Sequence, residues 1–89
     1  MRVSEDFILR EIAGEHMLVP VGAAASRFDI ITMNEVGGFI FKALQEERTE
    51  DELADLICGE YAVDAGTART DLGEFIQQLR DIGALVEEA

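Results

Sequence analysis

Few side chains in this sequence are of types that do chemistry. His16 is the only histidine and Cys58 the only cysteine. Neither has the three or four neighbouring ligands that a zinc site needs. A strand histidine without a partner reads as a half-exposed surface residue. Cys58 falls on the apolar side of a helical pattern and reads as a buried, inert thiol. The acid clusters Glu46-Glu47 and Glu50-Asp51-Glu52 could attract a cation. They lack the alternating ligands and central glycine of a calcium loop, so they read as solvated helix ends. No G-x-S-x-G, Walker loop or C-x-x-C is present. The expectation is a non-enzymatic domain with no catalytic residue, no metal and no cofactor.

Binding chemistry is better represented. On a helix from about Thr67 to Ile82, at 100° per residue, Leu72, Phe75, Leu79 and Ile82 share one face and should pack inward. Asp71, Glu74, Gln78 and Asp81 point to water. Between these sectors lies a line of Arg69, Gly73, Ile76 and Arg80. One reading makes it the wall of a groove, with an extended peptide over Gly73 and Ile76 and its carboxylates met by the arginines. The other makes the arginines ordinary surface cations beside Glu74 and Asp81.

The elements that must position this line follow from local patterns. Phe7 to Ile12 and Glu15 to Val21 read as strands joined by a tight Ala13-Gly14 turn. Pro20 belongs at a strand end or edge. Gly22 to Ser26 reads as a flexible loop. Arg27 to Thr32 reads as a third strand, which completes an antiparallel meander. Asn34 is a good N-cap for a helix carrying Val36, Phe39, Ile40, Ala43 and Leu44. Gly37 and Gly38 oppose that helix unless another backbone packs close there. Thr49-Glu50-Asp51-Glu52 is a capping box, and opens a second helix with a stripe of Leu53, Leu56, Ile57 and Tyr61. Asp64 or Thr67 caps the third, and Gly83 ends it. Ala84 to Glu87 suits a short terminal strand. The fold class expected is α+β, a three-stranded antiparallel sheet followed by three helices, with winged helix-turn-helix-like geometry.

If Arg27, Phe28, Asp29, Ile30, Ile31 and Thr32 form the last strand, they form a sheet edge. A free edge offers a row of backbone donors and acceptors to another chain. The alternative is an edge covered by the third helix or by residues 84–87.

Bulk properties narrow the partners. The chain has 89 residues, 48% of them hydrophobic, which suits one domain spanning 1–89 with a modest core. Its 19 acidic and 7 basic residues give a net charge of −12. Nucleic acid and anionic membranes both prefer a basic face, so neither is expected as a partner. No apolar run approaches the ~20 residues of a membrane span. The lone cysteine and the absence of an apolar N-terminal signal core point to the cytoplasm.

Several stretches, in order, carry a resemblance. They are Leu9-Arg10-Glu11-Ile12-Ala13-Gly14-Glu15, Leu18-Val19-Pro20, Met33-Asn34-Glu35-Val36-Gly37 leading into Phe39-Ile40-Phe41, Arg48-Thr49-Glu50-Asp51-Glu52-Leu53, Tyr61-Ala62-Val63-Asp64, Asp71 through Leu79, and Gly83-Ala84-Leu85-Val86. Together they resemble the PqqD-like family, named after a small protein of pyrroloquinoline quinone (PQQ) biosynthesis. The resemblance implies a recognition element for ribosomally made, post-translationally modified peptides. The leader of the precursor peptide would add as a strand beside Arg27 to Thr32. Arg69, Gly73, Ile76 and Arg80 would wall the cleft. The implied partner is a peptide-modifying enzyme, often a radical S-adenosylmethionine (radical SAM) enzyme. Met33 and Phe41 stand where the family often has leucine and tryptophan, which hints at a subgroup away from quinone synthesis.

The leading expectation is thus a peptide chaperone, monomer or dimer, that delivers a leader without chemistry of its own. On this reading Ile76→Asp or Arg80→Glu weakens binding without unfolding the domain. A winged-helix DNA-binding regulator and a structural subunit of an enzyme complex are the alternatives. Acids on the second helix oppose the first of these.

Overall fold

Hydrophobic alternation and one tight turn build the sheet in this computed structural model, which describes residues 1–87. Strands β1 (Arg2–Val3), β2 (Phe7–Ile12), β3 (Glu15–Pro20) and β4 (Ile31–Met33) precede helices α1 (Glu35–Ala43), α2 (Glu50–Glu60) and α3 (Ala65–Asp81), and β5 (Leu85–Val86) follows. The β2–β3 hairpin runs from Phe7 opposite Pro20 to Ile12 opposite Glu15. Its two turn residues, Ala13 at φ 53° and Gly14 at φ 82°, both have positive φ, as a type I′ turn requires. β4 pairs antiparallel with β3, with Leu18 opposite Ile31 and His16 opposite Met33. The result is a three-stranded antiparallel sheet in the order β2-β3-β4, followed by three helices.

The loop and third strand differ from the sequence reading. Gly22–Ser26 is a 3-10 helix rather than a flexible loop. Backbone amides of Ala24 and Arg27 donate to the carbonyls of Val21 and Ala24. The strand predicted from Arg27 to Thr32 begins only at Ile31. Phe28 turns inward instead, its ring 5.8 Å from that of Phe7, with the Arg27 guanidinium 5.5 Å above it. Burying an aromatic ring outweighs the extended preference of this stretch.

The helices start where their caps dictate. Asn34 Oδ1 accepts from Gly37 N at 2.7 Å, and Asp64 Oδ1 accepts from Thr67 N at 2.7 Å. Asp64, not Thr67, is therefore the cap of α3. Thr49 and Glu52 exchange both bonds of the capping box. Gly83, at φ 72°, ends the last helix. Phe41, Leu18, Ile40, Leu44, Leu53, Leu72, Ile76 and Leu79 form the fully buried centre, drawn from the sheet's inner face and all three helices. Cys58 is exposed, contrary to the buried thiol expected, because its neighbour Ile57 takes the inward position on α2.

The terminal strand is present, but its partner was not anticipated. β5 pairs with β1, placing Arg2 opposite Val86 and Val3 opposite Leu85. Val3 N donates to Leu44 O at 2.9 Å, and Ser4 N donates to Ala84 O at 2.8 Å. The N-terminal amine meets the Glu47 carboxylate. β5 therefore joins a separate two-stranded ribbon and does not cover β4.

Candidate peptide-binding cleft

β4 occupies one edge of its sheet, and among the described residues no strand pairs with its outer side. Three uncharged residues, Ile31, Thr32 and Met33, make up this edge. Ile31 and Met33 share the inner face with Leu18 and His16, and both are half-buried. Asn34 caps α1 directly after the strand, so Val36, Gly37 and Ile40 are carried beneath the same edge. Across from it stands α3, presenting Asp71, Glu74, Phe75, Gln78, Leu79 and Ile82. The cleft between them has a volume of about 350 Å³. Its base is apolar, with Leu18, Ile40 and Leu79 fully buried.

Two glycines set how closely the cleft's floor can pack. A Cβ on Gly37 would come within 2.9 Å of Phe75 Cε1, and one on Gly38 within 2.5 Å of His16 Nδ1. These are side-chain rings, not the second backbone the sequence suggested. Their proximity offsets the roughly 1 kcal/mol that glycine costs in a helix. His16 is only 13% exposed, more buried than expected for a surface histidine. Its Nδ1 lies 3.4 Å from Glu11 Oε1 without a well-formed hydrogen bond.

The structure separates the residues singled out in sequence. Ile31 and Thr32 line the cleft. Asp29 and Ile30 lie just before it in unassigned backbone, with Ile30 58% exposed. Arg27 and Phe28 belong to the end of the 3-10 turn and its stacking on Phe7. Arg69, Gly73, Ile76 and Arg80 do not line the cleft. Ile76 is 1% exposed and part of the core. Arg69 reaches Asp51 of α2 at 2.9 Å, and Arg80 grips Glu87 through contacts as short as 2.6 Å. That hydrogen-bonded fork raises the pKa of Arg80 and holds the Glu87 carboxyl below its usual range. The helical wheel orders the faces of α3 correctly, but α2 packs where the groove was expected.

The cleft lies instead along the seam between the apolar stripe and the acidic side. Phe75, Gln78 and Ile82 of α3, with Met33 and Val36, were missed as site residues. The available signal was the boundary itself, where Phe75 sits one turn from Asp71 and Gln78, and Ile82 one turn from Gln78.

A second, more open depression of about 500 Å³ runs beside β2, and is lined by residues including Arg2, Ile8 and Lys42. Among the described residues the outer edge of β2 is also unpaired in the sheet. That strand carries Arg10 and Glu11, and Lys42 Nζ lies 3.8 Å from Glu11 Oε1. Charges on an edge discourage strand addition, whereas the uncharged β4 edge does not.

Among the described residues no group of three or more His, Cys, Asp or Glu is gathered to hold a metal ion. No helix there is long and apolar enough to cross a membrane.

Two solved structures share this architecture. The first is described as TbiB1 in complex with the TbiA(beta) leader peptide. It is 28% identical, with 100% of this chain and 99% of that one covered and a TM-score of 0.80. The second is described as lasso peptide synthetase B1 complexed with the leader peptide. It is 15% identical, covers 97% of this chain and 96% of that one, and has a TM-score of 0.77, a likeness of fold alone. No curated protein matches the sequence. The model of the family described as coenzyme PQQ synthesis protein D (PqqD) matches residues 15–85, and with that match over most of its length the chain belongs to the PqqD family.

Proposed function

We propose that this chain is a non-catalytic recognition element that captures the leader of a ribosomally made precursor peptide. The leader adds as a strand to the outer edge of β4 and lies in the cleft against α3. The carrying observation is that uncharged, unpaired edge above an apolar floor. Support comes from the likeness, end to end, to a protein solved with a leader peptide.

The physics favours an extended ligand. Backbone pairing satisfies the edge, and alternate side chains enter the cleft. Ordering a flexible leader costs about 2–5 kcal/mol, which pairing and one or two buried apolar side chains must offset. Once held, the core segment of the precursor is concentrated near whichever enzyme binds the complex. In this proposal residues 1–89 act as one unit, and the receiving enzyme is a radical SAM enzyme, as the family resemblance implies.

Amide NMR and hydrogen exchange test the binding step. The probes are the TbiA(beta) leader peptide and binders selected from a display library of random 15-residue peptides. Shifts concentrated at 31–36 and 71–82 are expected, with the β4 amides that face away from β3 newly protected. Binders that all map elsewhere, or outward-facing β4 amides already protected in the free protein, would overturn the proposal.

A further inference from the structure

The charged side chains in the cleft are all acidic. Asp71 and Glu74 line it, and no arginine or lysine does. Among the described residues neither acid is engaged in an ion pair, while Arg69 and Arg80 are held by Asp51 and Glu87. Both acids are exposed, one turn apart on α3. Gln78 and Ile82 continue the same rim at four-residue steps.

We infer that the captured segment carries a lysine or arginine that docks on Asp71 and Glu74, with an apolar residue four positions away beside Ile82. This rests on the peptide-capture reading. Four helical residues advance about 6 Å, at 1.5 Å each. Alternate residues of a strand advance about 6.6 Å. A strand laid along α3 therefore presents one side chain in two to successive rim residues. The ligand reads basic, any, polar, any, apolar, in one direction or the other. Its basic group meets the acid pair, its polar group meets Gln78, and its apolar group enters beside Ile82. The cation also moves down the field of a protein with net charge −12, which speeds encounter at low salt.

Parallel selections from a library of random 15-residue peptides test this, one on the native protein and one on the Asp71→Lys/Glu74→Lys variant. Both substitutions fall on exposed positions, and circular dichroism confirms that the variant is folded. The native pool should enrich lysine or arginine at one position, with an apolar residue four away. The variant pool should enrich aspartate or glutamate there. Replacing the selected lysine with glutamate should weaken binding to the native protein by about tenfold at low salt and less at high salt, an effect suited to exposed charges. The variant should restore that binding. Pools that map to the cleft by NMR but show no charge preference overturn the inference and leave peptide capture standing. Pools that never map to the cleft overturn both.

Discussion

The Phe75 ring rests against Gly37, so close that a single methyl group on that glycine would lie 2.9 Å from Cε1. This contact joins the floor of the cleft to its wall. Gly37→Ala gains up to about 1 kcal/mol of helix propensity and loses about 1–3 kcal/mol to overpacking. A net loss of about 1 kcal/mol is expected, read as a lower urea midpoint at unchanged m-value. Gly38→Ala should cost more, since its Cβ would also approach His16 Cγ at 2.7 Å, near the root of the ring. Equal stability of all three proteins would show that both rings move freely.

Ile76 gives a second contrast. The sequence places it on an open groove, yet it is buried beside α2. Ile76→Ala should cost about 2–5 kcal/mol. Ile76→Asp should prevent folding altogether, because a lone charge cannot be accommodated there. Arg80→Glu should leave the fold intact, since only the exposed pair with Glu87 is lost. Thermal denaturation followed by far-ultraviolet circular dichroism separates these outcomes.

Ala13 sits at φ 53° without a glycine's freedom. Asparagine tolerates that region and is favoured at the first position of a type I′ turn. Ala13→Asn should raise stability by about 0.5–1 kcal/mol, and chemical denaturation can resolve the difference. No gain would mean that the turn already relaxes the strain through another route.

Acid should weaken the helix starts. The backbone amide of Thr67, then the Thr67 side chain, holds the Asp64 carboxyl below its usual pKa. The backbone amide and side chain of Thr49 do the same for Glu52. A folded-state pKa below the unfolded one contributes stability above the unfolded value, near pH 4, and loses it as pH falls through the folded value. Stability measured from pH 6 to 2 should therefore decline below about pH 4. Asp64→Asn keeps an acceptor but removes one titration, so its decline should be shallower. Identical acid limbs would remove Asp64 from this account.

Local chemistry was legible in the sequence, and long-range packing was not. Asn34, the Thr49–Glu52 box and the Ala13-Gly14 turn each act within a few residues, so type and spacing suffice to place them. The start of β4 was misplaced because Phe28 has a choice between strand and core, decided by Phe7 some twenty residues earlier. The wheel of α3 gave the faces, while the neighbour of each face depended on how α2 docks. Arg69 therefore meets Asp51 rather than a ligand. The two-residue strand Arg2–Val3 has no local signature at all.

That small ribbon dictates an order of events during synthesis. Residues 2–3 leave the ribosome well before 85–86, the strand they pair with. Until then Val3 N can reach the Leu44 carbonyl, but β1 lacks its strand partner and Ser4 N lacks the Ala84 carbonyl. The domain should stay incompletely locked on the ribosome and become protease-resistant only after Val86 has emerged.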